Sequence, residues 1–285
     1  MTIHRIGIVG GGLMGSGIAE ISAKAGLDVT IREIDEATVS AARSKIEKST
    51  GRAVDKGKLA AEAREEILER ITYTTNLADL ADRQLVVEAI TENEPLKLEI
   101  FKTLDEIIED DEAILASNTS SIPITRLAKA TNRPDAVVGL HFFNPVPVMG
   151  LVELISTVLS SPEAEARAER FAAEQLEKTV IHAKDRAGFI VNMLLVPYLL
   201  EAIRLYENGV ATAEDIDTGM RLGANHPMGP LTLADFVGLD TCKAVADVLY
   251  DEFKQPQYAP PPLLVRMVEA GLLGRKSGRG FYEYQ

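Results

Sequence analysis

Tryptophan is absent from this 285-residue chain, aromatic residues make up only 5% of it, and Cys242 is its one cysteine. A single thiol excludes an internal disulfide. Its place in an apolar-periodic stretch makes it a small core filler suited to a reducing compartment. Basic charge is short as well: 30 Lys and Arg stand against 43 Asp and Glu, for a formal net charge of −13. A chain so acidic lacks the basic face of a general nucleic-acid or anionic-membrane binder, so neither partner is expected. No apolar run approaches the roughly 18 residues of a membrane span. The longest, residues 189–200, is broken by Asn192 and Pro197. The opening MTIHRIGIVGGG has no apolar stretch leading to a cleavage site, so a secretory signal is not expected and a cytoplasmic location is. The four histidines show no metal-ligand spacing, and no metal is expected. What is present, 46% hydrophobic and 26% charged residues, is the composition of a globular protein of one large domain or two smaller ones.

Residues 4–10, HRIGIVG, form a short β-branched run ending in glycine, followed by a small-residue periodic helix over 13–25 and a second strand over 28–33. Strand, glycine turn, helix and strand within about 30 residues make a βαβ unit, which implies a parallel sheet with right-handed crossovers. The pattern over 35–70 is helical and highly charged, with interruptions expected near Gly51 and Gly57. Strands are then expected at 71–75, 85–90, 113–117, 136–141, 151–156 and 179–183, with helices at 95–109, 124–130 and 162–177. Past Lys184 only helices are expected, at 188–208, 213–222, 231–254 and 262–270. The reading is therefore an α/β Rossmann-type domain over 1–184 and an all-α domain over 185–285.

Gly10, Gly12 and Gly15 fit G-x-G-x-x-G, with Leu13 and Met14 at the variable positions, and the flanking strand and helix supply the context the motif needs. Gly10 permits the tight turn, Gly12 lets backbone approach a pyrophosphate, and Gly15 permits close helix–strand packing. The phosphates would then sit on the N–H groups at the positive end of the helix. Glu33 lies 23 positions after Gly10, where an acid holds ribose hydroxyls and repels a 2′-phosphate, so the expected cofactor is NAD rather than NADP. Period-2 alternation points the adjacent Arg32 to the opposite face.

His141 falls at the carboxyl end of a strand, the edge where open α/β sheets bind ligands. Glu153 lies midway along the next apolar strand, and a lone carboxylate there is costly to bury without a partner. Pro145, Pro147 and Gly150 supply a turn that lets the second strand fold back beside the first, making His141 and Glu153 neighbours. A carboxylate on one imidazole nitrogen fixes the tautomer and raises basicity, and the other nitrogen takes up a proton. His4, His182 and His226 read as structural.

With these residues goes a string of others: VVEAITEN, LASNTSS, HFFNPVPVM, GFIVN, GANHPMGPLTLADFVGLD and LGRKSGRGFYEY. Over nearly its whole length the chain resembles the 3-hydroxyacyl-CoA dehydrogenase family, in particular its stand-alone bacterial branch acting on short acyl chains such as 3-hydroxybutyryl. The resemblance implies reversible, NAD-dependent oxidation of an (S)-3-hydroxyacyl-CoA to the 3-oxoacyl-CoA, with His141 as base and Glu153 orienting it. It further implies that Ser120 and Asn192 hydrogen-bond the oxygen at C3. Glu92, Lys97, Asn144 and Lys276 correspond to the family's NAD contacts, and Ser49 and Lys56 to its acyl-CoA contacts. A homodimer through the carboxyl-terminal domain is implied too. The chain departs from the family's usual residues at Gly150 (Lys), Ala187 (Pro) and Met193 (Arg). Two other readings remain beside this one: a dehydrogenase of a free hydroxy acid, and a non-catalytic NAD-binding protein. The intact set of Ser120, His141, Glu153 and Asn192 disfavours the second.

Against the acidic whole, Arg43, Lys45, Lys48, Arg52, Lys56 and Lys58 fall within 16 residues and face only Glu47 and Asp55. Such runs are commonly solvated faces. Beside an acyl-CoA resemblance, a local phosphate-binding patch is the better reading.

Overall fold

The computed structural model describes residues 2–284, and the chain divides between Asp185 and Arg186 into two compact units. The first begins with β1 (Arg5–Val9), α1 (Leu13–Lys24), β2 (Asp28–Arg32), α2 (Glu36–Asp55), α3 (Ala61–Glu69) and β3 (Ile71–Thr74). It continues through β4 (Leu85–Glu88), α4 (Glu94–Ile107), β5 (Ile114–Ser117), α5 (Ile124–Ala128), β6 (Val137–Phe142), β7 (Leu151–Ser156), α6 (Pro162–Arg170) and β8 (Thr179–Lys184). One eight-stranded sheet runs in the order β3-β2-β1-β4-β5-β6-β7-β8. The order turns back between β1 and β4, which is the switch point where doubly wound sheets take their ligands.

Strands β1 to β6 pair in parallel, as βαβ connections require. The sheet is not parallel throughout, however. The β6–β7 connection is a short Pro-containing turn, too short for a crossover, so β7 returns antiparallel and β8 pairs parallel to β7. The central strands are apolar on both faces, as in Ile6, Ile8, Val86, Val87, Leu115 and Ala116, because helices cover both. The helix starts are written locally. Asp35 and Thr38 form a reciprocal capping box on α2, while Asn93 caps α4 at Leu96 N with Pro95 in the first turn. Gly51 does not interrupt α2, contrary to the sequence expectation. The helix runs on to Asp55, and the turn comes at Gly57, whose φ of +67° suits glycine.

The second unit is helical: α7 (Val191–Glu207), α8 (Ala213–Thr218), α9 (Pro230–Val237), α10 (Leu239–Phe253) and α11 (Pro262–Glu269). Its own core joins Leu199, Leu200, Ile203, Leu231, Leu239, Leu249 and Leu264. The single helix expected over 231–254 is two helices, because Gly238 adopts a φ of +102° and ends α9. Cys242 is buried in this core, and burial pushes its thiol up to about 12, so it is an inert filler. Two buried carboxylates fasten the last residues: Asp235 accepts from Phe281 N, Tyr282 N and Tyr284 Oη, and Asp217 from Tyr282 Oη, all at 3.0 Å.

Candidate active site

The glycine turn lies between β1 and α1. Gly10 has a φ of +95°, and a Cβ on Gly15 would strike the Gly10 carbonyl, so neither position accepts another residue without displacement. Gly12 stands at the start of α1 and contributes no side-chain cap, and a Cβ there would meet nothing within 4 Å. Open space over the uncapped end of a 12-residue helix is a cradle that fits a dinucleotide pyrophosphate. Leu13 is 64% exposed at the same end, and Met14 packs partly against the core. Glu33, just past β2, accepts Gly11 N at 2.6 Å through Oε1, which draws its carboxylate to the glycine turn. Arg32 turns to the Thr75 carbonyl instead.

His141 and Glu153 are direct cross-strand partners in the β6–β7 register. His141 Nδ1 lies 2.6 Å from Glu153 Oε2, with His141 6% exposed and Glu153 fully buried. The turn of 118–121 after β5 is tied to this pair, because Asn118 Oδ1 accepts Phe142 N at 2.9 Å, one residue past His141. That turn carries Ser120, whose N–H donates to Glu92 Oε1 at 3.2 Å. Glu92 also accepts from Thr119 Oγ1 and, at 2.8 Å, from Ser121 Oγ. Burial works to raise the Glu92 pKa, but the Lys97 charge and these donors together hold it below the usual carboxylate value. Lys97 is itself 1% exposed and held by Glu88 at 2.5 Å, with Glu92 at 3.4 Å.

Asn144 is exposed in the β6–β7 turn, where the Asn144–Pro145 peptide is cis. Lys178 clamps that turn by donating to the Val146 carbonyl at 2.9 Å and the Met149 carbonyl at 2.7 Å. A Cβ on Gly150 would meet nothing within 4 Å, so the departure to glycine removes a side chain without repacking the turn.

Ser49 lies half-buried on α2, near enough to Glu20 of α1 to lower the pKa of that carboxyl, and Lys56 is exposed at the end of α2. Glu20 is buried, which raises its pKa, while Ser49, Lys24 and Arg52 pull it back. The basic stretch resolves into fewer members than its composition suggests. Lys45, Lys48, Arg52 and Lys56 share one helical face at spacings of three and four, but Arg43 points away and stacks 4.6 Å over the Tyr73 ring. Lys58 lies beyond the helix.

In the second unit, Asn192 sits half-buried in the first turn of α7. Lys276 pairs with Asp240 at 2.5 Å. Ala187 N donates to Glu252 at 3.5 Å, a bond that the family's usual proline cannot make. Met193 follows Asn192 on the same helix.

Sequence reasoning did not single out Glu88, Asn118, Lys178 or Glu20. Glu88 and Lys97 each sit in ordinary local patterns, and only the fold brings their charges together. Asn118 had a weak signal, as the one amide in a hydroxyl-rich turn after a strand.

A family model described as "3-hydroxyacyl-CoA dehydrogenase, NAD binding domain" matches residues 5–186, and one described as "3-hydroxyacyl-CoA dehydrogenase, C-terminal domain" matches 188–284. A 3-hydroxybutyryl-CoA dehydrogenase of Mycobacterium tuberculosis is 57% identical over 282 residues, covering 99% of each chain. The crystal structure of M. tuberculosis FadB2 superposes with a TM-score of 0.99 at 57% identity, covering both chains in full. That of (S)-3-hydroxybutyryl-CoA dehydrogenase PaaH1 from Ralstonia eutropha superposes with a TM-score of 0.94 at 47% identity, again over both full chains.

Proposed function

Since the chain belongs to the 3-hydroxyacyl-CoA dehydrogenase family, an NAD-dependent oxidoreductase whose first unit is the NAD-binding domain, we propose that it interconverts (S)-3-hydroxybutyryl-CoA and acetoacetyl-CoA. The observation that carries this reading is the buried His141–Glu153 pair at 2.6 Å, one residue from the tie to the Ser120 turn. The short-chain substrate comes from the two relatives whose names specify it, one 57% identical over the whole chain.

In the oxidative direction His141 takes the C3 hydroxyl proton at Nε2, and in the reductive direction it returns that proton. Glu153 holds Nδ1 protonated, which selects the tautomer with Nε2 as the base, and its charge stabilises the imidazolium that forms. Bound NAD supplies the hydride acceptor. Gly10, Gly12, Leu13, Met14 and Gly15 line its phosphate turn, and Glu33 takes the adenosine ribose, a preference for NAD over NADP. Glu92, Lys97 and Asn144 are the further cofactor residues of the first unit, and Lys276 that of the second. Ser120 donates to the C3 oxygen, where charge develops, and Asn192 is the second unit's candidate for the same task. Ser49 and Lys56 serve the CoA moiety, with Lys45, Lys48 and Arg52 supplying positive charge on the same helical face.

The second unit exposes Leu194 at 71%, Val210 at 67% and Leu222 at 79%, apolar area that a second copy would cover, and we propose a homodimer through it. Light scattering decides that point: a monomer mass contradicts it. No helix of the described residues is long and apolar enough to cross a membrane, and a cytoplasmic location belongs to the same proposal.

The test of function is steady-state NADH oxidation with acetoacetyl-CoA against free acetoacetate. Turnover of the thioester, with free acid far poorer, supports the proposal. Equal use of both sinks the CoA assignment, and binding of NADH without any turnover favours a non-catalytic protein.

A further inference from the structure

Glu88 ends β4 with its side chain fully buried. Three donors converge on its carboxylate: Lys97 Nζ at 2.5 Å and Ile90 N at 2.7 Å on Oε1, and Ser117 Oγ at 2.6 Å on Oε2. Burying a carboxylate so completely is costly unless such partners satisfy its oxygens. The donors belong to three separate pieces of chain: α4, the turn after β4, and the end of β5. Beyond Glu88, the Lys97 ammonium reaches Glu92 at 3.4 Å. Glu92 in turn grips residues 119–121 through two hydroxyls and the Ser120 N–H. Two carboxylates therefore share one buried ammonium, and the two turns at the ligand edge of β4 and β5 hang from one anion.

Building on the dehydrogenase reading above, we propose that Glu88 is a positioning residue: it fixes the Lys97 amine and the Ser120 turn in one geometry, so that the cofactor side and the substrate side of the site are set by a common anchor. Glutamine at this position keeps the volume, and its amide can still accept from Lys97 and Ile90 N and donate to the Ser117 hydroxyl, so what it removes is the charge opposite the Lys97 ammonium. With Glu92 left as the carboxylate beside Lys97, that ion pair would tighten and draw Glu92 from the 119–121 turn. Loss of Ser117 Oγ is milder, because it frees the β5 end and the Thr119 N–H that it accepts at 3.2 Å but leaves the Glu88–Lys97 pair intact.

The test compares Glu88→Gln and Ser117→Ala with the wild-type chain by NADH fluorescence titration, acetoacetyl-CoA turnover and amide hydrogen exchange. For Glu88→Gln, NADH affinity falls about tenfold or more and kcat falls with it, while exchange quickens at 90–92 and 118–121 but not in β1 or β6. For Ser117→Ala, kcat falls about threefold or more with NADH affinity held within about twofold, a split that a general loss of folding does not produce. Wild-type NADH affinity and unchanged exchange at both turns in Glu88→Gln overturn the proposal. Should that variant fail to fold, Ser117→Ala decides: unchanged kcat overturns it. If the wild-type chain turns over no thioester, the functional reading fails, and the NADH and exchange measurements on Glu88→Gln still judge the anchor.

Discussion

Replacing Glu153 by glutamine isolates what its charge does, because volume is kept and the amide oxygen can still accept from His141 Nδ1. The loss acts chiefly where His141 has gained the proton from the C3 hydroxyl. Glu153 Oε2 lies 2.6 Å from Nδ1, and the imidazolium charge is spread over the ring, so an effective separation of about 4 Å is reasonable. At an effective dielectric of about 20, two unit charges at that distance attract by about 4 kcal/mol. The amide dipole of the variant recovers part of this, leaving about 3 kcal/mol, or roughly two decades in rate at 1.36 kcal/mol per decade. Stability moves little, since the variant trades a buried charge for a buried amide; a shift in Tm under about 4 °C is expected. The assay is acetoacetyl-CoA-dependent NADH oxidation, with Tm and NADH affinity measured in parallel. Turnover within about threefold of wild type, in a folded variant that binds NADH, would refute the electrostatic role assigned to Glu153.

Glu33→Ser should lose most of its preference for NADH over NADPH, read from the ratio of the two dissociation constants; an unchanged ratio removes Glu33 from the ribose site. Asp235→Ala leaves Phe281 N and Tyr282 N, both on half-buried residues, without their acceptor, so the second unit should lose about 2 kcal/mol and residues 281–284 should exchange quickly. Normal exchange there would contradict the fastening role. The Glu92 carboxyl is held below its ordinary value, so its contribution to stability is present above the unfolded pKa and lost as pH falls through the folded one. The Tm gap between wild type and Glu92→Gln should therefore narrow from about pH 6 to about pH 3, and a gap that widens on acidification would reverse the sign.

Much of this site is written in short-range pattern. The glycine turn needs only its flanking strand and helix, and the His141–Glu153 pairing follows from alternation in two strands joined by a turn too short for a crossover. Arg43 is the exception: composition groups it with Lys45, Lys48, Arg52 and Lys56, and its place over the Tyr73 ring takes it out of that patch. Other features depend on distances along the chain that no local pattern spans. Glu88 meets Ser117 across 29 positions, and Lys178 meets Val146 across 32. Gly238 hid for a different reason: apolar periodicity continues on both sides of it, and glycine inside a helical pattern does not by itself signal a break.

The central claim is that His141 moves the proton at C3, and the direct measurement pairs acetoacetyl-CoA-dependent NADH oxidation with NADH binding in wild type and His141→Ala. The account predicts that turnover falls by about three decades or more while the NADH dissociation constant stays within about twofold. Near-normal turnover by the variant would contradict it.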